Sequence, residues 1–138
     1  MIDNKWPLDI KVAEVRIARP TDKFDEIKKF YGEGLGLPLI GSFEEHEGYN
    51  GVMFGLPGRD YHLEFTSHSS GSPCPAPTKD NLLVFYLPDK TDIDKIEKRF
   101  NALGCFSVPP ENPYWKGKGL TFEDPDGWRV VLMNTAGI

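Results

Sequence analysis

The chain has 138 residues, 39% of them hydrophobic and 27% charged, with 16 basic and 21 acidic side chains and a net charge of −5. That is one globular domain, neither disordered nor long enough for two domains of ordinary size. The acidic balance without a basic block argues against nucleic acid as a partner, no apolar run reaches the ~20 residues of a membrane span, and residues 1–7 lack the apolar stretch of a secretory signal.

The first periodic segment is 10–18. Ile10, Val12, Val15 and Ile17 are apolar, and from Glu14 onward they alternate with Glu14, Arg16 and Ala18, which is the period of a half-buried strand. Pro20, Thr21 and Asp22 stop it. Residues 22–31 have helical spacing, with Phe24, Ile27, Phe30 and Tyr31 on one face. Thr21 or Asp22 is the expected N-cap, and Gly32, Gly34 and Gly36 end the helix. Strands are expected at 38–43, 51–56 and 61–66, separated by Gly48 and by Leu56-Pro57-Gly58. Residues 67–78 are rich in Ser and Pro, have no hydrophobic period, and read as a linker.

The order then recurs. A strand is expected at 82–87, a helix at 91–103 with Ile93, Ile96, Phe100 and Leu103 inward, and strands at 106–108, 119–123 and 128–133. Asp22-Lys23 returns as Asp89-Lys90, an offset of 67; Gly51 returns as Gly119 and Pro57 as Pro125, offsets of 68. Three matches at nearly one offset imply an internal duplication. The expected fold is α+β: two tandem βαβββ modules, about 8–67 and 80–134, joined by a linker at 68–79. Together they form a curved mixed sheet around a concave cleft, with helices outside. Cys74 and Cys105 lie far apart without a CxxC pair, which suits a reduced, cytoplasmic protein.

Residues 22–37 (DKFDEIKKFYGEGLGL) and 122–132 (FEDPDGWRVVL) resemble signatures of the vicinal-oxygen-chelate superfamily, which includes glyoxalase I, bleomycin-resistance proteins and extradiol dioxygenases. His62-Leu63-Glu64-Phe65-Thr66 resembles the strand that carries a metal-binding carboxylate there. The resemblance implies a divalent metal held by side chains from the first and last strands of each half. Carried over strand by strand, it places Glu64 and Val131 on the last strands. The first strands offer Glu14 or Arg16, and Asn81, Leu82 or Leu83, depending on register. Val131 and the leucines cannot ligate, and an arginine repels a cation. A Zn or Fe site needs about three protein ligands, so the implied metal site is degenerate.

His62 shares strand parity with Glu64, so both can face the cleft and act as partial metal ligands or as an acid/base pair. A buried Glu64 needs a partner, and Arg16 is the cation that strand parity offers. Tyr114 and Trp115, in a Pro-containing loop, are candidate stacking surfaces for a ligand. Tyr86 and Arg129 are further candidates, although a slip of one residue reverses the face of a strand. The expected function is metal-free binding of a small molecule, sequestering a drug or metabolite. The alternative is a superfamily enzyme of lyase or dioxygenase type, using Glu64 with His62 or Glu14 and a weakly held divalent ion. A small-molecule ligand is the expected partner, no cofactor is expected, and a homodimer is left open.

Overall fold

Strand parity decides which face of each half is buried. In the computed structural model, which describes residues 10–56 and 58–138, the first half runs β1 (Val15–Pro20), α1 (Phe24–Lys28), β2 (Leu39–His46), β3 (Tyr49–Gly55) and β4 (Tyr61–His68). α1 continues into a π-helical turn, Lys29–Gly34. The second half runs β5 (Leu82–Tyr86), α2 (Lys90–Ala102), a short 3-10 turn (Pro113–Trp115), β6 (Gly119–Glu123) and β7 (Arg129–Met133). The first sheet has the order β1-β4-β3-β2 and the second β5-β7-β6. β1 is parallel to β4 and β5 is parallel to β7, while the remaining pairs are antiparallel.

The register makes the duplication explicit. Glu64 lies between Ala18 and Met53, and Val131 lies between Val84 and Thr121. The same logic makes Arg16–His62 equivalent to Leu82–Arg129. The architecture is α+β, as the sequence implies, and it divides into two mixed sheets with no closed barrel. β1 and β5 are the facing edges of these sheets and do not hydrogen-bond to each other.

Several local expectations are corrected. Residues 10–14 precede β1 without pairing. The strand expected at 106–108 is reduced to one bridge, Val108 to Thr121, because Pro109 and Pro110 bring no N–H to extend a ladder. Neither Thr21 nor Asp22 caps α1. The Thr21 hydroxyl donates to Asp126 Oδ2 at 2.6 Å, and Asp22 Oδ1 accepts the Ser72 N–H. Leu103 is 40% exposed instead of inward.

One core serves both halves. Leu63, Phe65, Val52 and Phe54 meet Ile27, Phe30 and Tyr31, while Phe122, Val130 and Leu132 meet Ile93 and Phe100. Phe100 bridges the two groups, stacked on Phe122 with centroids 4.4 Å apart and tilted on Phe30 at 4.7 Å. Its fit demands glycine at 34, where a Cβ would stand 2.5 Å from the Phe100 ring. Arg99 then donates to the carbonyls of Gly34 and Leu35, both at 3.1 Å, satisfying acceptors that the end of the π turn leaves open. Phe100→Ala should therefore lower stability by roughly 3–5 kcal/mol. Leu103→Ala should stay within about 0.5–1 kcal/mol. Urea midpoints of the two variants test the difference.

Candidate functional site

Arg19 has the parity of the core-facing residues, yet it is a cation. Its Nη2 donates to Asp124 Oδ2, to which the Tyr31 hydroxyl also donates at 2.7 Å. Its guanidinium lies over the rings of Phe65, at 5.1 Å, and Trp128, at 4.6 Å. The Asp124 side chain is fully buried. Its other oxygen accepts the N–H groups of Asp126 (2.8 Å) and Trp128 (3.0 Å), which shapes the turn between β6 and β7. The Trp128 indole N–H donates to the Cys74 carbonyl at 2.8 Å and so ties down the linker. Burial, and then the Asp124 carboxylate beside it, push the Tyr31 phenol far above its ordinary range, because a phenolate there would be dry and next to a negative charge.

The opposite face of the first sheet carries a chain of polar side chains. Arg16 Nη1 lies 3.3 Å from Glu64 Oε2, and Arg16 Nε donates to His62 Nε2 at 2.9 Å. An accepting Nε2 leaves the ring proton on Nδ1, which lies 3.3 Å from Glu14 Oε2 without the alignment of a hydrogen bond. His62 and Glu64 are buried, while the Arg16 side chain is 48% exposed and reaches inward to an 11% exposed carboxylate. The structure thus brings together Glu14, Arg16, His62 and Glu64.

These residues do not fit a metal ion. The guanidinium of Arg16 already binds the carboxylate that would ligate, and it also occupies the free nitrogen of His62. The residues equivalent to Arg16, His62 and Glu64 in the second half are Leu82, Arg129 and Val131, two without donor atoms and one a cation, and none of them can ligate a metal. Among the described residues, no three His, Cys, Asp or Glu side chains come close enough to hold an ion.

Between the edges of β1 and β5 lies a cavity of about 530 Å³. Ile17, Leu63, Leu82 and Leu83 give it aliphatic walls, and Tyr31, Phe65 and Trp128 give it aromatic ones. Its polar lining is Arg19, Glu64, Asn81, Arg129 and Cys74. Of the residues that the sequence offers for ligand binding, Glu64 and Arg129 line it, as do Asn81, Leu82 and Leu83 from the implied metal positions. Arg129 is buried, with Nε donating to Glu123 Oε2 and Nη1 to the Pro109 carbonyl, each at 3.0 Å.

Tyr86 is not brought to this cavity. It ends β5 and lines a second cavity of about 480 Å³ with Arg59 and Tyr61. Tyr114 and Trp115 are not brought there either. The Asn112 side chain accepts the Tyr114 N–H at 3.0 Å and starts a 3-10 turn, in which the two rings pack edge-on against each other at 4.9 Å. Cys74 is half-buried and lines the first cavity. Arg19, Asp124 and Trp128 are site residues that the sequence reading does not single out. Their signal was a charged residue at a core-facing strand position, together with an acidic turn that can supply its partner.

Among solved structures, the chain resembles the YycE protein of unknown function from Bacillus subtilis, with a TM-score of 0.87 and 55% identity over 91% of this chain and 92% of that one. It also resembles the trypanothione-dependent glyoxalase I of Leishmania major, with a TM-score of 0.68 and 18% identity over 90% of this chain and 87% of that one. A third likeness is to TnmS3, an antibiotic binding protein from Streptomyces, with a TM-score of 0.61 and 23% identity over 90% and 95%. The fold is therefore that of the vicinal-oxygen-chelate superfamily of glyoxalases and antibiotic-resistance proteins. The models of the YycE-like N-terminal and C-terminal domains match residues 15–66 and 80–134. The chain is also 54% identical to the uncharacterized YycE sequence of Bacillus subtilis over 93% of its own length and 92% of that protein's, so it belongs to the YycE-like family.

The raised Tyr31 phenol links stability to alkaline pH. The folded state holds this proton more tightly than the unfolded state, whose phenol titrates near 10.0. Its contribution is complete below that pH and is lost as pH rises above it. Tyr31→Phe should be less stable at neutral pH by roughly 1.5–3 kcal/mol, the worth of a hydrogen bond to a charged group. It should also lose this part of the alkaline decline. Urea midpoints at neutral pH and above the ordinary tyrosine range separate the two effects.

Proposed function

We propose that this chain is a small-molecule-binding protein that uses the superfamily cleft without a metal ion and holds a drug-like compound or a metabolite. The observation that carries the reading is the guanidinium of Arg16, 3.3 Å from the Glu64 carboxylate. It supplies the positive charge that this carboxylate needs, but it has no open coordination position with which to activate a substrate oxygen. The cavity of about 530 Å³ beside Glu64 is of a size that accepts drug-sized ligands. The likeness to a protein described as antibiotic binding supports the same reading.

The alternative is a superfamily enzyme that uses Glu64 with His62 or Glu14 and a weakly held divalent ion. Against it stands the Arg16–His62 hydrogen bond of 2.9 Å, which occupies the lone pair that a general base would use. Among the described residues no helix is long and apolar enough to cross a membrane. A cytoplasmic site of action belongs to the proposal, and so does any pairing into a homodimer.

Metal analysis of tag-free protein purified without chelator should find far less than one equivalent of Zn or Fe. A full equivalent that is lost in Glu64→Gln would overturn the reading. In thermal-shift titrations with planar aromatic probes, Glu64→Gln should weaken binding more than Glu44→Gln, a change in the exposed part of β2. Equal effects of the two substitutions would remove Glu64 from the site.

A further inference from the structure

We infer that the cavity between β1 and β5 selects neutral, flat, largely apolar molecules that carry a hydrogen-bond acceptor, and that it disfavours organic anions of the same shape. This rests on the small-molecule reading above and names its ligand class.

The charges around the cavity decide the sign. Two cations line it, Arg19 and Arg129, and both are already committed to carboxylates of the second half, Asp124 and Glu123. The lining carboxylate, Glu64, is matched by Arg16. All of these charges cancel in pairs, and no lysine lines the cavity. An entering anion would shed its water without gaining an unpaired cation, and it would meet the Glu64 carboxylate. A neutral molecule incurs neither penalty.

The donors left over define what a neutral ligand should offer: the Nε–H of Arg19, buried without a partner among the described residues, and the amide of Asn81. Asn81 Oδ1 accepts the Thr78 N–H at 3.1 Å and the Thr78 hydroxyl at 2.6 Å, which fixes the orientation of the amide. Its NH2 has no partner among the described residues and belongs to a residue lining the cavity, so it is a donor for a ligand acceptor. The aromatic wall is rigid. Trp128 is anchored through its indole N–H at 2.8 Å, with the Arg19 guanidinium over its ring. A fixed ring and aliphatic walls favour a planar body, and the fixed amide favours a carbonyl or ether oxygen on its edge.

Three naphthalene probes of nearly equal size separate the possibilities: naphthalene, 2-acetylnaphthalene and 2-naphthoate. Affinities are read by calorimetry at neutral pH. The ketone should bind tighter than the carboxylate by roughly tenfold or more, about one net hydrogen bond and one avoided charge. Asn81→Leu should weaken the ketone by roughly tenfold while leaving naphthalene unchanged. Glu123→Gln frees Arg129 and should narrow the preference by improving naphthoate binding. Ile17→Trp, a change at an exposed cavity residue, should weaken every probe. If naphthoate binds as well as the ketone to the unaltered protein, the ligand class is wrong while binding in the cavity stands. If no probe saturates, or Ile17→Trp changes nothing, the small-molecule reading of this cavity fails.

Discussion

A carboxylate with no access to water must find all its hydrogen bonds within the protein, and Asp124 finds four. Two come from backbone N–H groups of its own turn, at Asp126 and Trp128. The other two come from the first half, the guanidinium of Arg19 and the hydroxyl of Tyr31. The edges of β1 and β5 share no hydrogen bond, so the sheets are not joined as a ladder. The buried aspartate joins the halves at one end of the seam, and the Phe30–Phe100–Phe122 stack joins them in the core. Because the same carboxylate shapes the turn and holds Arg19, the position of Trp128 and one wall of the cavity follow from it.

The second determinant lies on the opposite face. A divalent ion can exchange ligands and polarise an oxygen, whereas a guanidinium is a fixed charge with directed donors. Arg16 lies 3.3 Å from Glu64 and orients it without offering coordination. In the other half the places of Arg16 and Glu64 carry Leu82 and Val131, and the place of His62 carries Arg129, whose charge is met by Glu123. The fold is shared with the superfamily, whereas function depends on a few side chains on facing strands.

The parts legible in the sequence are those that depend on local period. Alternation located the strands, helical spacing located Ile93 and Phe100, and the repeated offset brought out the two halves. Parity alone placed Arg16 on the same side as Glu64, since neighbours across a parallel pair point the same way. The illegible parts depend on how one half meets the other. Thr21 reads as a cap until Asp126 approaches from a turn 105 residues away. Leu103 reads as inward by period, but it lies past the last turn of α2, where the packing has ended. Tyr114 and Trp115 look like a ligand platform until a short turn folds them onto each other. Arg19 is the extreme case, because an arginine at a core parity has meaning only once its carboxylate is known.

The residues that hold the structure together also settle what the cavity can attract. Arg19 and Arg129 are the two cations on its wall, and each is spent on a partner in the second half, Asp124 or Glu123. Removing either carboxylate would free a cation for a ligand and at the same time loosen the structure around it. For Asp124 the structural cost is severe, because the group is fully buried and joins the halves. For Glu123 it is milder, because that side chain is 39% exposed. The same pairings therefore couple stability to selectivity. A relative that recognised an anion in this cavity would have to free an arginine, and Arg129 is the one that the fold can release without parting its two halves.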